Sequence, residues 1–278
     1  MLSDVRFVPL FSGSSGNSTL ICSGDTRILV DAGVSGAKIK AELSKAGADA
    51  AALTGILITH DHTDHIAGAG VLSRKFDLPI FATEGTWRIM EQKIGAVALK
   101  NVRIIEPGQD FYLGGANVLP FTIPHDAGEP VGYTIQLGGA QVSVATDMGY
   151  MTKSTFAAIK DSDLVLLESN YDEDMLKAGP YPYDLKKRIL SRKGHLSNDD
   201  AAKTCWKLIE AGVKNIILGH LSKDNNFPEL AFQTTAQLLK QQGVNVDEDI
   251  RLCVALRDSM TDVFQIRSGF AAGMTGGF

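Results

Sequence analysis

Cysteine is scarce in this sequence, with only Cys22, Cys205 and Cys253 among 278 residues. Three scattered cysteines are too few for a disulfide framework or a zinc finger, and their scarcity is typical of a reducing compartment. The nine prolines and the aperiodic glycines also exclude collagen-like and low-complexity chains. We therefore expect a globular cytoplasmic protein.

Long apolar runs and an excess of basic charge are also missing. No segment approaches the roughly 18 to 20 apolar residues of a membrane-spanning helix, and the first residues lack a basic start followed by an apolar stretch. The formal net charge is -5, which excludes the chain-wide basic surface of general nucleic-acid coats. We expect no membrane partner, and any contact with a polyanion must be local.

What the sequence does contain is an alternation of short apolar runs with amphipathic helical patterns. The pattern predicts helices over 37–46, 66–76, 86–93, 197–211 and 228–242. It predicts strands over 5–11, 18–22, 27–31, 55–59, 79–82, 102–106, 111–113, 116–123, 131–137, 141–146, 164–168, 215–218, 252–256 and 262–265. Two β-rich halves with helices between and outside them indicate an α/β (α+β) fold, a four-layer αβ/βα sandwich. We expect one domain over 1–278 with flexible last residues.

Histidine is the most informative residue, because three of only six histidines lie close together. His60, His62 and His65 are interleaved with Asp61 and Asp64, directly after the apolar run 55–58. Imidazole and carboxylate groups suit zinc, manganese or iron. In an extended segment His60 and His62 would face one ion, while Asp64 and His65 could face a second. A plain helix-capping loop is the alternative, but capping does not call for this composition.

Further metal ligands are predicted where polar residues follow apolar runs. His125, Asp147 and His220 each occupy such a position. One strand-end histidine is usually an ordinary loop residue, but three such positions beside the histidine-rich loop favour a dinuclear site. Asp31 follows the run 28–30, and we expect it to hydrogen-bond the loop or a ligand imidazole.

These residues resemble the signature of the metallo-β-lactamase fold superfamily. The segment HDHTDH at 60–65 matches the superfamily pattern HxHxDH, and His125, Asp147 and His220 follow in the expected order. The resemblance implies that His60, His62 and His125 hold one metal ion. It further implies that Asp64, His65 and His220 hold a second ion, that Asp147 bridges the two, and that the fold is the αβ/βα sandwich.

A second pair of residues bears on the substrate. Glu168 ends an apolar run and His195 precedes a predicted helix. A carboxylate that orients an imidazole makes a proton donor, which phosphodiester cleavage needs for its leaving oxygen. Each residue taken alone could equally be an ordinary strand-end or loop residue. The pair resembles the glutamate and histidine motifs of tRNase Z and β-CASP nucleases.

A narrower resemblance is to the WalJ (YycJ)-type bacterial metallo-hydrolases. It rests on segments 13–18, 60–65, 168–171, 175–183, 194–198 and 218–222. The resemblance implies a DNA-processing nuclease, with 5′-to-3′ exonuclease activity expected. The sequence shows no inserted cap domain of the β-CASP kind and no long arm of the tRNase Z kind, which puts tRNA-end maturation in doubt.

Candidate substrate contacts come from two polar segments. The turn-forming segment 12–18 contributes Ser14, Ser15, Asn17 and Ser18, which could present hydroxyls and N–H groups to phosphate, or form a plain β-turn. A basic run contributes Lys186, Lys187 and Arg188, followed by Arg192 and Lys193. This run could clamp phosphates or be a solvated helix face. Tyr181 and Tyr183 could stack on bases or pack their own loop.

The sequence favours a phosphodiesterase with two divalent transition-metal ions, zinc or manganese with iron also suitable, acting on 5′ ends of DNA. In this hypothesis Asp64 coordinates metal and orients a metal-activated hydroxide that attacks phosphorus, and the His195–Glu168 pair protonates the leaving oxygen. Two alternatives stay open: a thioester or small cyclic-phosphodiester hydrolase, and a non-catalytic regulatory or scaffold protein. Metal identity, strand preference and oligomeric state also stay open.

Overall fold

A computed structural model describes residues 4–266 of the chain. The strands are β1 Val5–Phe11, β2 Ser18–Ser23, β3 Thr26–Val30, β4 Gly55–Leu57, β5 Ile80–Thr83, β6 Val102–Ile105, β7 Phe111–Leu113, β8 Ala116–Thr122, β9 Val131–Leu137, β10 Ala140–Ala145, β11 Leu164–Glu168, β12 Asn215–Gly219, β13 Arg251–Val254 and β14 Phe264–Ile266. The helices are α1 Gly36–Lys45, α2 Thr63–Ile66, α3 Ala69–Phe76, α4 Glu84–Ile94, α5 Lys153–Ile159, α6 Glu173–Ala178, α7 Tyr183–Ile189, α8 Asn198–Glu210 and α9 Pro228–Gln241. Across 4–266, none of these helices combines the length and apolar character needed to cross a membrane.

The strands form two seven-stranded sheets. The first has the order β14-β1-β2-β3-β4-β5-β6 and the second β13-β12-β11-β10-β9-β8-β7. In each sheet antiparallel neighbours give way to four strands that pair in parallel: β3 to β6 in the first and β10 to β13 in the second. Because parallel strands end at one edge of a sheet, the loops that follow them meet there.

Three apolar clusters show that the layers stack as helix, sheet, sheet and helix. The cluster between the sheets takes residues from both, such as Ile21 and Tyr133. Neighbouring strand residues point the other way, so Leu20 lies in the cluster between the first sheet and helices α1, α3 and α4. A third cluster packs α8 and α9 on the second sheet, with Cys205 and Leu239 among its members. The predicted αβ/βα sandwich is confirmed.

The structure corrects several predicted element bounds. The helix predicted over 66–76 begins earlier, at Thr63, and is interrupted so that α2 and α3 are separate. The interruption falls at Gly68, where a Cβ would lie 2.4 Å from the carbonyl oxygen of Val34. The earlier start places Asp64 and His65 in the first turn of a helix. The closing strand lies at Phe264–Ile266, not 262–265.

Three short helices, α5, α6 and α7, were not predicted at all. Each has only six or seven residues, too few for a convincing helical period. Side-chain caps at Thr152 and Asp172 help to begin α5 and α6. The predicted flexibility of the last residues concerns positions outside the described range.

Candidate metal centre

All six histidines converge at one place, where the segments that follow β4, β8 and β12 meet the segment that precedes α8. Ring centroids of contacting pairs are 4.0 to 5.7 Å apart. Four of the rings are buried, and those of His62 and His195 are partly exposed. This convergence brings side chains from the loop at 60–65 together with that of His220, more than 150 residues away in sequence. The ligand donors that the sequence singled out therefore occupy one place.

The first donor group consists of His60, His62 and His125, whose donor atoms lie within 4.8 Å of one another. Nδ1 of His125 donates to the carbonyl oxygen of Gly194 at 3.1 Å, which directs its Nε2 towards Nδ1 of His62, 3.3 Å away. Nδ1 of His60 lies 3.1 Å from the hydroxyl of Thr59. The rings of His60 and His125 are thus held at Nδ1, and each leaves its Nε2 available to bind an ion.

The second donor group consists of Asp64, His65 and His220. His65 donates from Nδ1 to Asp31 at 2.8 Å, and His220 donates from Nδ1 to Glu168 at 3.0 Å. These contacts direct both Nε2 atoms inwards, each 3.6 Å from Oδ2 of Asp64.

Asp147 lies between the two donor groups. Its Oδ2 is 3.3 Å from Nε2 of His65, and its Oδ1 is 3.3 Å from Nε2 of His220. The same Oδ1 is 3.9 Å from Nε2 of His125 in the first group. One carboxylate therefore reaches ligand nitrogens of both groups.

The chemistry of these atoms fits divalent cations. Of seven buried side-chain atoms without a hydrogen-bond partner in residues 4–266, three converge here: Nε2 of His60, Nε2 of His220 and Oδ2 of Asp147. Buried polar atoms left without a partner are costly, and metal ions bound at the two donor groups would give each of them a partner. Nitrogen and carboxylate donors are what zinc, manganese and iron accept.

The protonation states of His60 and Asp64 suit metal ligands. Burial, with help from the neighbouring histidines, lowers the pKa of His60 well below its ordinary value, so the ring is neutral and can donate a lone pair. Burial alone would raise the pKa of Asp64, but His65 and His220 outweigh it and hold that pKa far below its ordinary value. Asp64 is therefore ionised.

Glu168 connects the metal centre to His195. Its Oε1 accepts from Nδ1 of His195 at 2.7 Å and from Nδ1 of His220 at 3.0 Å. Its Oε2 accepts from the backbone N–H groups of Met148 and Leu196 at 2.7 and 3.1 Å. Burial would raise the pKa of Glu168, but the two imidazoles lower it below its ordinary value. A buried, ionised carboxylate therefore orients two imidazoles at once.

Three of the strand-end residues have a left-handed backbone. Asp31, Asp147 and His220 have φ values of 61°, 60° and 55°. Such conformations cost roughly 1–3 kcal/mol each in non-glycine residues and persist only where the surroundings enforce them. The left-handed conformation of each residue directs its side chain across the end of its sheet and into the cluster of histidines and aspartates.

The centre forms the floor of a cavity of about 200 Å³. Of the seven predicted substrate contacts, Ser14 and Arg188 line this cavity, and Arg188 is ion-paired with Asp126. The other five do not line it. Ser15 and Lys187 are exposed elsewhere.

The three remaining predicted contacts are engaged in holding the scaffold. The Ser18 hydroxyl donates to the carbonyl oxygen of Asp31, and Lys186 donates to the carbonyl oxygen of Lys177. Asn17 is buried, and its side chain both accepts from and donates to the backbone of Gly13. These bonds shape the loop and the short helices around the site.

Sequence reasoning missed two residues that support the ligands. The hydroxyl of Thr59 bonds to Asp31 and lies within 3.2 Å of Nδ1 in both His60 and His65. Asn170 donates to the carbonyl oxygen of His220 at 2.7 Å. Thr59 adjoins one segment that the sequence had singled out and Asn170 lies within another, but only the fold shows what they contact.

Taken together, the sandwich of two sheets and the histidine and aspartate clusters at their shared edge define a metal-dependent hydrolase of the metallo-β-lactamase fold. The chain belongs to the β-lactamase superfamily, because residues 26–220 match the family model described as a beta-lactamase superfamily domain. The fold and the clusters indicate that it binds divalent metal.

Two sequence relatives extend the likeness over most of the chain. It is 40% identical over 244 residues to the exodeoxyribonuclease YycJ of Bacillus anthracis, covering 88% of this chain and 92% of the relative. It is 38% identical over 263 residues to the exodeoxyribonuclease WalJ of Streptococcus pneumoniae, covering 94% and 98%. These relatives confirm the predicted membership of the WalJ (YycJ)-type group.

Solved structures share the fold at lower identity. The metallo-β-lactamase fold protein YhfI of Bacillus subtilis superposes with a TM-score of 0.68 at 19% identity, covering 94% of this chain and all of that one. The short form of human tRNase Z gives a TM-score of 0.62 at 17% identity, covering 92% and 98%. These likenesses establish the architecture.

Proposed function

We propose that this protein is a metal-dependent exonuclease that cleaves phosphodiester bonds of DNA from the 5′ end. The observation that carries the proposal is the buried Glu168 with its bond to His195, beside the metal centre. A thiolate leaves a thioester without a proton, whereas an alkoxide leaving a phosphodiester is aided by one. The names of the two sequence relatives, both exodeoxyribonucleases, support the same substrate class.

The proposal assigns two divalent ions, zinc or manganese with iron also suitable, to the two donor groups. His60, His62 and His125 would hold one ion, Asp64, His65 and His220 the other, and Asp147 would bridge them. Bound ions of this kind activate a water molecule and neutralise charge on phosphoryl oxygens.

The chain's own groups position the reactants. The side chain of Asp64 is 26% exposed and faces the cavity, where it can orient the attacking water. Nδ1 of His195 donates to Glu168, so Nε2 is the nitrogen that delivers a proton to the leaving oxygen. The bond to Glu168 fixes the orientation of the imidazole for this delivery.

A substrate comparison tests the proposal. Protein loaded with zinc or manganese is incubated with single- and double-stranded DNA and RNA labelled at the 5′ or the 3′ end, and in parallel with a thioester. We expect 5′-labelled DNA to release its label at once as a mononucleotide, 3′-labelled DNA to give a ladder, and EDTA to stop both reactions. Fast thioester turnover with intact DNA under every metal condition would show that the proposal is wrong.

A further inference from the structure

One wall of the cavity differs in character from the rest. Tyr181, Leu185 and Ile189 line this wall, whereas the other lining residues are polar or charged apart from Gly194. Leu185 and Ile189 are one turn apart on α7, so they present one face of that helix. We call Tyr181, Leu185 and Ile189 the apolar wall.

The apolar wall is held rigidly in place. All three residues belong to a small hydrophobic cluster with Tyr171 and Leu176, which ties α6 and α7 together. The hydroxyl of Tyr181 donates to Asp224 at 2.7 Å, which fixes the edge of its ring. The wall is therefore a preformed surface that needs little rearrangement to receive a ligand.

An apolar surface opposite a metal centre suits a ligand that is charged at one end and apolar and flat at the other. A nucleotide is such a ligand, since its phosphate meets the metals while its base meets apolar and aromatic side chains. Building on the proposed exonuclease function, we infer that the apolar wall is the binding site for the base of the terminal nucleotide.

The size of the cavity limits what it can hold. Its volume of about 200 Å³ is below the roughly 300–1,000 Å³ of pockets that enclose drug-sized ligands. On this inference the cavity takes one base and not a base pair. The terminal base must therefore unpair from the opposite strand before cleavage. The free-energy cost of this unpairing is lowest where the DNA is already single-stranded.

The test compares two single-stranded oligonucleotides that differ only at the digested end, where one carries a base and the other an abasic residue. The variants are Tyr181→Ala and Leu185→Ala. Tyr183→Ala is the matched control, because Tyr183 is 78% exposed and does not line the cavity. Tyr181→Phe keeps the ring but loses the bond to Asp224.

We expect the native protein to prefer the base-bearing end by about 5- to 30-fold in kcat/KM, as for a base stacked on a tyrosine. Tyr181→Ala should reduce this preference to about twofold, with the abasic substrate unaffected, and Leu185→Ala should reduce it partly. Tyr183→Ala and Tyr181→Phe should keep it. Equal slowing on both substrates, or no preference in the native protein, would overturn the inference while leaving the exonuclease proposal standing.

A binding measurement separates the two proposals further. An oligonucleotide with 2-aminopurine at its terminus and a nuclease-resistant first linkage is mixed with metal-loaded protein, so that the phosphate can meet the metals without being cleaved. Fluorescence quenching by native protein and by Tyr183→Ala, but not by Tyr181→Ala, supports the inference. Native protein that degrades neither DNA nor RNA contradicts the proposed function, whereas native protein that degrades DNA without quenching contradicts the base site alone.

Discussion

At the scale of single residues, Glu168 contacts more of the site than its sequence position indicates. The sequence predicted a bond to His195 alone, yet the same oxygen also accepts from the metal-ligand candidate His220. Carboxylates that orient ligand histidines usually tune metal affinity as well. With the roles proposed for His195 and His220, proton delivery and metal binding would be coupled through one side chain.

This coupling predicts that Glu168→Gln weakens metal binding in addition to slowing cleavage. The glutamine side chain keeps the shape of glutamate but lacks the negative charge that accepts hydrogen bonds from His195 and His220. We therefore expect metal affinity to fall about 10- to 100-fold. Competition with a chelator measures the affinity, with Glu210→Gln, an exposed change in α8, as control. Unchanged metal affinity with slower cleavage would show that Glu168 serves His195 only.

Asp147 provides a second residue-scale prediction. Because its two oxygens each lie 3.3 Å from a ligand nitrogen, Asp147→Ala should remove metal and activity together. We expect about two metal ions per chain in the native protein and fewer than one in the variant, by elemental mass spectrometry. Asp161→Ala, on the surface, should retain both ions. Full activity in native protein stripped of metal would refute the assignment.

The ligand candidates could be predicted from sequence because their residue types are rare and their positions follow apolar runs. The residues that hold these ligand candidates in place could not be predicted, because threonine and asparagine are common and their partners are distant in sequence. The contact of Thr59 with Asp31 spans 28 residues, and that of Asn170 with His220 spans 50. Only the fold brings such pairs together.

At the scale of elements, the loop after β3 packs directly on α2. The N–H of Gly33 donates to the carbonyl oxygen of Asn17 at 2.7 Å, and the N–H of Asn17 donates to that of Asp64 at 2.8 Å. A Cβ at Gly33 would lie 1.6 Å from the carbonyl oxygen of Asp64. The close approach of three backbone segments thus positions the helical turn that carries Asp64 and His65.

Gly33→Ala should therefore displace α2. We expect a loss of about 3 kcal/mol or more in the free energy of unfolding, with reduced metal content, because backbone must move to admit the methyl group. Gly36→Ala is the matched control, since a Cβ there meets only ordinary contacts at 3.4 to 3.5 Å. Urea unfolding and elemental analysis measure both effects. Equal stability of the two variants would contradict this packing argument.

The longer elements were predictable because each has an apolar face that repeats over several turns or strands. Helices α6 and α7 were not predictable, because they have no such repeating face. Their few apolar residues face a small local cluster and the cavity. The sequence showed the basic run and the tyrosines but could not say which of them face the site. Nor could the sequence show that Asn17 and Ser18 hydrogen-bond the backbone of Gly13 and Asp31.

At the scale of the whole molecule, the two sheets each contribute one half of the metal centre. The loop after β4 brings His60, His62, Asp64 and His65, while the second sheet brings His125, Asp147 and His220. The net charge of -5 means that attraction of a polyanion must depend on local basic residues. Arg188 is the basic residue that lines the cavity.

Arg188→Ala should accordingly weaken DNA binding more than it slows the chemical step. We expect KM for DNA to rise several-fold with a smaller change in kcat, and the slope of log affinity against log salt to shrink by about one. Lys240→Ala, at the end of α9, should leave both unchanged. If the variant keeps the native salt dependence, Arg188 does not contact DNA phosphates, and the prediction is wrong. The ion pair with Asp126 would then be the only interaction assigned to Arg188.

The central claim is that His195 donates a proton to the leaving oxygen and binds no metal. The most direct measurement is His195→Ala assayed for metal content and for cleavage of DNA and of bis(p-nitrophenyl) phosphate, whose leaving group departs without protonation. We predict near-native metal content, DNA cleavage slowed by roughly 10²- to 10⁴-fold, and a much smaller loss on the activated substrate. Loss of metal, or equal slowing on both substrates, would contradict the account.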